Sequence, residues 1–195
     1  AGEMRLDGHR HAPAGPADAI AAGVFLSARD RRANAVVPEF DITRNVTLPF
    51  LGAHARGGFM RPRAERRTAR GVIDTLSVVC AGAQQSILTL SGGNQQKVVI
   101  GRWMAREARV MLLDEPFQGV DIGARRDIAA RLRATAPGRA TIVFVSELDE
   151  ALEVADRIVV MADHSLGASH RNEGIDVAAL TAEILNGGGA RAEAM

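Results

Sequence analysis

The stretch from Leu90 to Pro116 admits few folds. It reads Leu90-Ser91-Gly92-Gly93-Asn94-Gln95-Gln96-Lys97, then an apolar run with helical spacing, then Val110-Met111-Leu112-Leu113-Asp114-Glu115-Pro116. Ser-Gly-Gly ahead of a helix leaves bare backbone N–H groups at the positive end of that helix, which suits an anion. Glycine lets phosphate oxygens approach the backbone, and Ser91 adds a hydroxyl donor. The second run predicts an apolar strand of a parallel sheet that ends in two carboxylates. Successive strand residues point to opposite faces, so Asp114 and Glu115 serve separate tasks. Near a phosphate, one of the two would hold Mg²⁺ and the other would orient an attacking water. The plainer alternative is a pair of carboxylates that merely end a strand before Pro116.

Composition narrows the setting. A chain of 195 residues fits one domain of ordinary size. The formal charge of +1 gives no general argument for nucleic acid. A lone cysteine, Cys80, forms no internal disulfide and fits a reducing cytosol. No run of about 18 apolar residues is present to span a membrane. Lys97 is the only lysine and is followed by valine. A phosphate loop of the Gly-Lys-Ser/Thr kind is therefore missing from these residues.

Taken in order, residues 1 to 8 predict an edge strand with a turn at Asp7-Gly8. His9, His11, Pro13 and Pro16 form a polar loop, and the two histidines lack the further ligands of a metal site. Asp18 caps a short helix through Ala22 that Gly23 ends, and Val24 to Ser27 is a buried strand. Asp41 to Arg56 begins as a helix capped by Asp41 or Thr43 and interrupted by Pro49. Arg61 to Cys80 is a helix with Pro62 in its first turn and a stripe of Ala69, Ile73, Leu76 and Val79 or Cys80. Arg63, Arg66, Arg67 and Arg70 read as a solvated face rather than a nucleic-acid patch. Asn94 to Glu107 is a helix with Val98, Val99, Trp103 and Met104 on its apolar face. Gly123 to Ala134 follows, with Ile128, Ala129 and Leu132 inward. Thr141 to Val145 and Arg157 to Ala162 are two more strands, and this rhythm predicts right-handed crossovers and a parallel sheet. Asp176 starts a last helix that Gly187-Gly188-Gly189 closes.

The ordered pair of motifs resembles the signature and Walker B motifs of ATP-binding cassette ATPases. The spelling Leu-Ser-Gly-Gly-Asn-Gln-Gln-Lys resembles the C-terminal cassette of tandem ATPases that energise ribose-, galactose- and xylose-type sugar importers. Met4-Arg5-Leu6-Asp7-Gly8, Ala19 to Val24, Asp30-Arg31-Arg32 and Asn45-Val46-Thr47-Leu48 fall in that family's order. So do Gly119 to Ala124, Ser146-Glu147 and Asp156 to Met161. The resemblance covers roughly residues 2 to 165.

It implies an α/β fold, a P-loop NTPase-like, mostly parallel sheet with an inserted helical subdomain. Residues 1–40 would be core with the Q-loop region, 41–100 the helical subdomain ending in the signature, and 101–195 core with Walker B, D-loop and switch region. In the family the Walker A loop lies shortly before the Leu-Asp-Gly turn, so an N-terminally incomplete second cassette is expected. The resemblance gives ATP to Ser91, Gly92, Gly93 and Gln95, the D-loop role to Asp121, and the switch position to Ser146, with Mg²⁺ on Asp114 and catalysis on Glu115. Arg29 stands where Gln or Glu is usual, and a guanidinium cannot ligate a cation. The implied partners are another cassette and a permease received by the helical subdomain, on the cytoplasmic side of a membrane, with no nucleic acid. Alone, the chain is expected to be inactive, and its open sheet to favour a homodimer or poor solubility. Two rivals are a regulatory cassette that binds without hydrolysis, favoured by Arg29 and Ser146, and a soluble cassette ATPase of DNA repair or translation.

Overall fold

A computed structural model describes residues 2–185, which fall into two compact units divided between Phe144 and Val145. The Gly187-Gly188-Gly189 stop lies outside the described residues.

The first unit opens with a small antiparallel hairpin, β1 (Arg5–Leu6) and β2 (His9–Arg10), turned at Asp7 (φ 49°) and Gly8 (φ 79°). His9 is thus a strand residue, not part of the expected loop. Helix α1 (Pro16–Ala21) starts earlier than predicted, because Pro16 sits at its first position with Gly15 as N-cap. Asp18 stands in the first turn and accepts from the Ala14 N–H at 3.1 Å. Strand β3 (Val24–Ser27) has its predicted bounds but is buried on one face only, at Phe25 and Ser27, with Leu26 54% exposed. A one-turn α2 (Arg31–Asn34) leads to α3 (Ile42–Thr47), where the Asp41 carboxylate accepts from the Arg44 N–H at 2.8 Å. Pro49 then forces a 3₁₀ turn (Leu48–Phe50), followed by α4 (Leu51–His54) and a second hairpin, β4 (Ala55–Arg56) and β5 (Phe59–Met60).

Helix α5 (Pro62–Leu76) ends before its predicted limit because Ser77 is left-handed (φ 50°). Its buried residues are Ala69, Val72 and Leu76, while Val79 is 75% exposed. Helix α6 (Gly92–Met104) buries ten of its thirteen residues and runs through the centre of the helical core. That core gathers Ile42, Val46, Val72, Leu76, Ile87, Val98 and Val99. Trp103 stacks on Phe25 at 5.3 Å and so joins α6 to β3.

Strand β6 (Val110–Asp114) lies between β3 and β7 (Ala140–Phe144), parallel to both, with α7 (Ile122–Ala134) as the crossover. One sheet face is closed, with Phe25, Ser27, Met111 and Leu113 buried. The other face is open. Leu26, Leu112 and Ile142 are in register across it, and Leu26, Ile142 and Phe144 are about half exposed.

The second unit departs from expectation. Strand β8 (Arg157–Ala162) is not parallel but forms an antiparallel hairpin with β9 (Ser165–Arg171). Asp163 (φ 48°) and His164 (φ 62°) make a turn whose twist suits such a hairpin. With α8 (Leu148–Val154) and α9 (Val177–Leu185), the pair buries Ile158, Val160 and Leu180.

Two stability predictions follow from the helical core. A Cβ on Gly101 would overlap Val72 Cγ1 and stand 2.7 Å from Leu76 Cδ1. Replacing a helical glycine by alanine ordinarily gains about 1 kcal/mol, whereas overpacking costs about 1–3 kcal/mol. Gly101→Ala is therefore expected to destabilise, and urea denaturation reads the sign. His54 is buried, and burial, aided by Arg106 and opposed by Glu65, holds its pKa below 6.5. The unfolded imidazole protonates first as pH falls, so this contribution to stability is complete above pH 6.5 and is lost below it. His54→Gln should flatten the acid limb of a pH series of melting temperatures.

Candidate functional site

Ser91 is the exposed N-cap of α6. Its Oγ accepts from the Asn94 N–H at 3.4 Å and from Asn94 Nδ2 at 2.9 Å. Asn94 Oδ1 in turn accepts from the Val79 N–H at 2.8 Å. With the oxygen occupied as an acceptor, the Ser91 hydroxyl hydrogen is free to point outward. Gln95 turns inward, and its amide donates to the Leu90 carbonyl at 3.1 Å. That side chain holds the loop from behind.

Across from this helix start lies the turn after β6. Asp114 ends the strand, half-buried, and among the described residues its carboxylate takes part in no hydrogen bond or ion pair. Glu115 is left-handed (φ 46°), and its N–H donates to the Phe144 carbonyl at 2.9 Å. A non-glycine residue there costs about 1–3 kcal/mol, which the ladder bond to β7 helps offset. The chain then turns through Gly119 (φ 64°) to Asp121, whose carboxylate caps α7 by accepting from the Ala124 N–H at 2.9 Å.

The two loops touch. A Cβ on Gly92 would stand 2.8 Å from Arg31 Nη2 and 3.2 Å from the Gly119 carbonyl. One on Gly93 would stand 2.9 Å from Ala124 Cβ and 3.0 Å from Asp121 Oδ2. Both glycines are thus required by the approach of the chain's own downstream turn, a steric reason beyond access for phosphate. Arg31 completes the junction by donating from Nη1 to the Gln118 carbonyl at 3.0 Å. Arg29, exposed, lines a cleft of about 520 Å³ with Asp30, Arg31, Gln118 and Gly119.

The structure therefore brings Gly92 and Gly93, directly after Ser91, against Asp121 and the turn that follows Asp114 and Glu115. Ser146 belongs to the second unit, exposed, ahead of α8. Sequence reasoning gave Arg31 no role. Its partner Gln118 is 87 residues away, and no spacing rule joins them.

A family model described as "ABC transporter" matches residues 3–118. The chain is 38% identical over 186 residues to the ribose import ATP-binding protein RbsA of Jannaschia sp. (strain CCS1), covering 95% of this chain and 35% of that protein. It is 38% identical over 176 residues to the arabinose import ATP-binding protein AraG of Pseudomonas syringae pv. tomato, covering 89% and 35%. The chain thus spans about a third of the length of these curated relatives. Among solved structures, the dimeric post-hydrolysis state of the ATP-binding cassette MJ0796 bound to ADP and Pi superposes with a TM-score of 0.73 at 21% identity. That match covers 90% of this chain and 75% of the other and shows the shared fold.

The contacts of the two glycines predict unequal costs. Gly92→Ala meets the end of a flexible arginine and a carbonyl, whereas Gly93→Ala meets a helix Cβ and the capping carboxylate. Gly93→Ala should destabilise the chain by about 1–3 kcal/mol and Gly92→Ala by less. Amide exchange at Ala124 should speed up in the Gly93 variant alone.

Proposed function

From the premise that the chain belongs to the ABC transporter family, we propose that it is part of the second cassette of a tandem ATPase that energises sugar import. The observation that carries the reading is the junction just described, an exposed serine–glycine helix start seated on the turn that leaves two strand-end carboxylates. The Leu-Ser-Gly-Gly-Asn-Gln-Gln-Lys spelling and Ser146-Glu147 support the second cassette, and the ribose and arabinose relatives support a simple sugar as cargo.

In this reading each half of the junction serves a different nucleotide. Ser91 Oγ–H and the Gly93 N–H donate to the phosphates of an ATP held by another cassette. Asp114, half-buried and without a donor among the described residues, is a hard-oxygen ligand suited to Mg²⁺, directly or through water. When bound, the ion supplies neutralisation of phosphate charge. Glu115, turned aside by its left-handed backbone, orients the attacking water. Asp121 spends one oxygen on capping α7 and keeps the other beside Gly93, so the D-loop and signature shift together.

The chain would sit on the cytoplasmic face of a membrane beside a permease, which residues 41–100 would receive as a helical subdomain. Residues 1–40 and 101–195 would form the ATPase core around it. Among the described residues no helix is long and apolar enough to cross a membrane. The open sheet row of Leu26, Leu112 and Ile142 supports association with a further polypeptide, a second copy included. A regulatory reading, binding without turnover, draws on Arg29 in the cleft and on Ser146, whose hydroxyl carries no positive charge toward a γ-phosphate.

Phosphate release tests the assignment. The 195-residue chain alone should show negligible turnover, since no Gly-Lys-Ser/Thr loop is present in it. Assembled with a permease and the remainder of a tandem ATPase whose other catalytic site is disabled, it should turn over, and Glu115→Gln should lower the rate by about 10²–10⁴-fold. Turnover by the isolated chain that Glu115→Gln abolishes would overturn the inactive-fragment reading. An assembled complex that never turns over would favour the regulatory one.

A further inference from the structure

The hairpin β4–β5 and the outer side of α5 serve neither the helical core nor the phosphate loops. Residues 55–70 hold six arginines against one glutamate, while the whole chain carries only +1, so the rest of the chain is net acidic. Arg56, Arg61, Arg63, Arg67 and Arg70 are exposed, and among the described residues none of the five is held in an ion pair. On α5, Arg63, Arg67 and Arg70 recur at helical spacing and fall on the side opposite the buried Ala69, Val72 and Leu76. At the hairpin tip, Gly57-Gly58 leads directly to Phe59, 81% exposed, and Met60, 41% exposed. Phe59 stands across from Arg56, and Met60 across from Ala55. Alternation therefore places the two large apolar side chains on opposite faces of the ribbon.

We propose that this hairpin and the arginine stripe of α5 bind an anionic phospholipid surface directly, with Phe59 and Met60 entering the headgroup layer and the guanidiniums meeting lipid phosphates. A ribbon tip that carries one large apolar side chain on each face suits insertion into a medium that surrounds it, whereas base stacking presents one flat face. Clustered arginine beside apolar side chains is the composition of a peripheral contact with acidic lipid. The inference goes beyond the transporter reading, in which a permease alone holds the chain at the membrane.

Co-sedimentation with vesicles tests it, using the 195-residue chain and no permease, so that the transporter assignment is judged separately. Vesicles are phosphatidylcholine alone or an equal mixture with phosphatidylglycerol. Binding is expected only to the mixture and should weaken as salt is raised. Neutralising Arg63 and Arg67 to glutamine should lower partitioning by roughly five-fold for each residue. Phe59→Ser should lower it roughly ten-fold. Arg126→Gln, exposed on α7, should leave it unchanged. In Phe59→Trp, the added indole emission should shift to the blue on the mixed vesicles. Circular dichroism establishes that each variant is folded. Equal binding to both vesicle types, indifference to the arginine and Phe59 changes, or retention by an oligonucleotide in place of the mixed vesicles would overturn the proposal. So would a Phe59→Ser variant that loses capture by a permease while keeping full vesicle binding.

Discussion

A buried guanidinium sets the frame on which the site is hung. Arg102, in the last turn of α6, is 5% exposed, and burial lowers its pKa to about 10, which leaves it charged at neutral pH. Among the described residues its hydrogen-bond partners are both oxygens of a fully buried asparagine. Nε donates to the Asn45 carbonyl at 2.6 Å and Nη2 to Oδ1 at 3.3 Å. Asn45 is itself shared out, with Nδ2 donating to the carbonyls of Val37, Phe40 and Asp41 and Oδ1 accepting from the Val37 N–H. The arrangement replaces regular structure for the loop at residues 37–41 and fastens it to α6. Removing either partner would strand buried polar groups, a far larger effect than the modest net gain of the bonds when made.

From that anchor the order runs along α6 toward its N-terminus. Lys97, buried, donates to Asp127 on α7 at 2.7 Å and to the carbonyl of left-handed Ser77 at the end of α5, 3.3 Å away. Gly101 lets α5 come close, and Asn94 ties Ser91 to Val79. The helix is held at three heights by buried or half-buried polar contacts. Its first turn therefore reaches the downstream loop with a fixed position. A loop carried on such an element would need little reorganisation to meet a ligand.

What the sequence made legible was whatever rested on local chemistry. Val24 to Ser27 and Val110 to Asp114 are apolar runs, and they pair in parallel as such runs do. Asp41 is a capping residue and caps, whereas Ser91, read as a donor, is also the N-cap of a helix that starts at Gly92 rather than Asn94. The failures came where a nonlocal fact or an unmarked backbone state decided. Ser77 carries no sign of its left-handed conformation, so the predicted stripe ran past the true end of α5 to Val79. Asp163 and His164 adopt positive φ without glycine, so the hairpin of β8 and β9 was read as a single strand of the parallel sheet. At the site, Ser91, the two glycines and Asp121 were found as residues, but the glycines' contacts with Gly119, Asp121 and Ala124, and Arg31's bond to Gln118, depend on pairings that spacing does not encode.

The sheet supplies one further constraint. Along β6, Met111 and Leu113 face the buried side, so Val110, Leu112 and Asp114 share the other. Asp114 therefore stands on the open face two residues along β6 from Leu112, the middle member of the row Leu26, Leu112 and Ile142, and pairs in register with Phe144. Parallel sheets are ordinarily covered on both faces, and about half-exposed Leu26, Ile142 and Phe144 here lack that cover. Any element that closes this face meets the Asp114 carboxylate as well as the apolar row. Covering the row and enclosing the Asp114 carboxylate are then one packing event, driven mainly by burial of the row and only locally by charge.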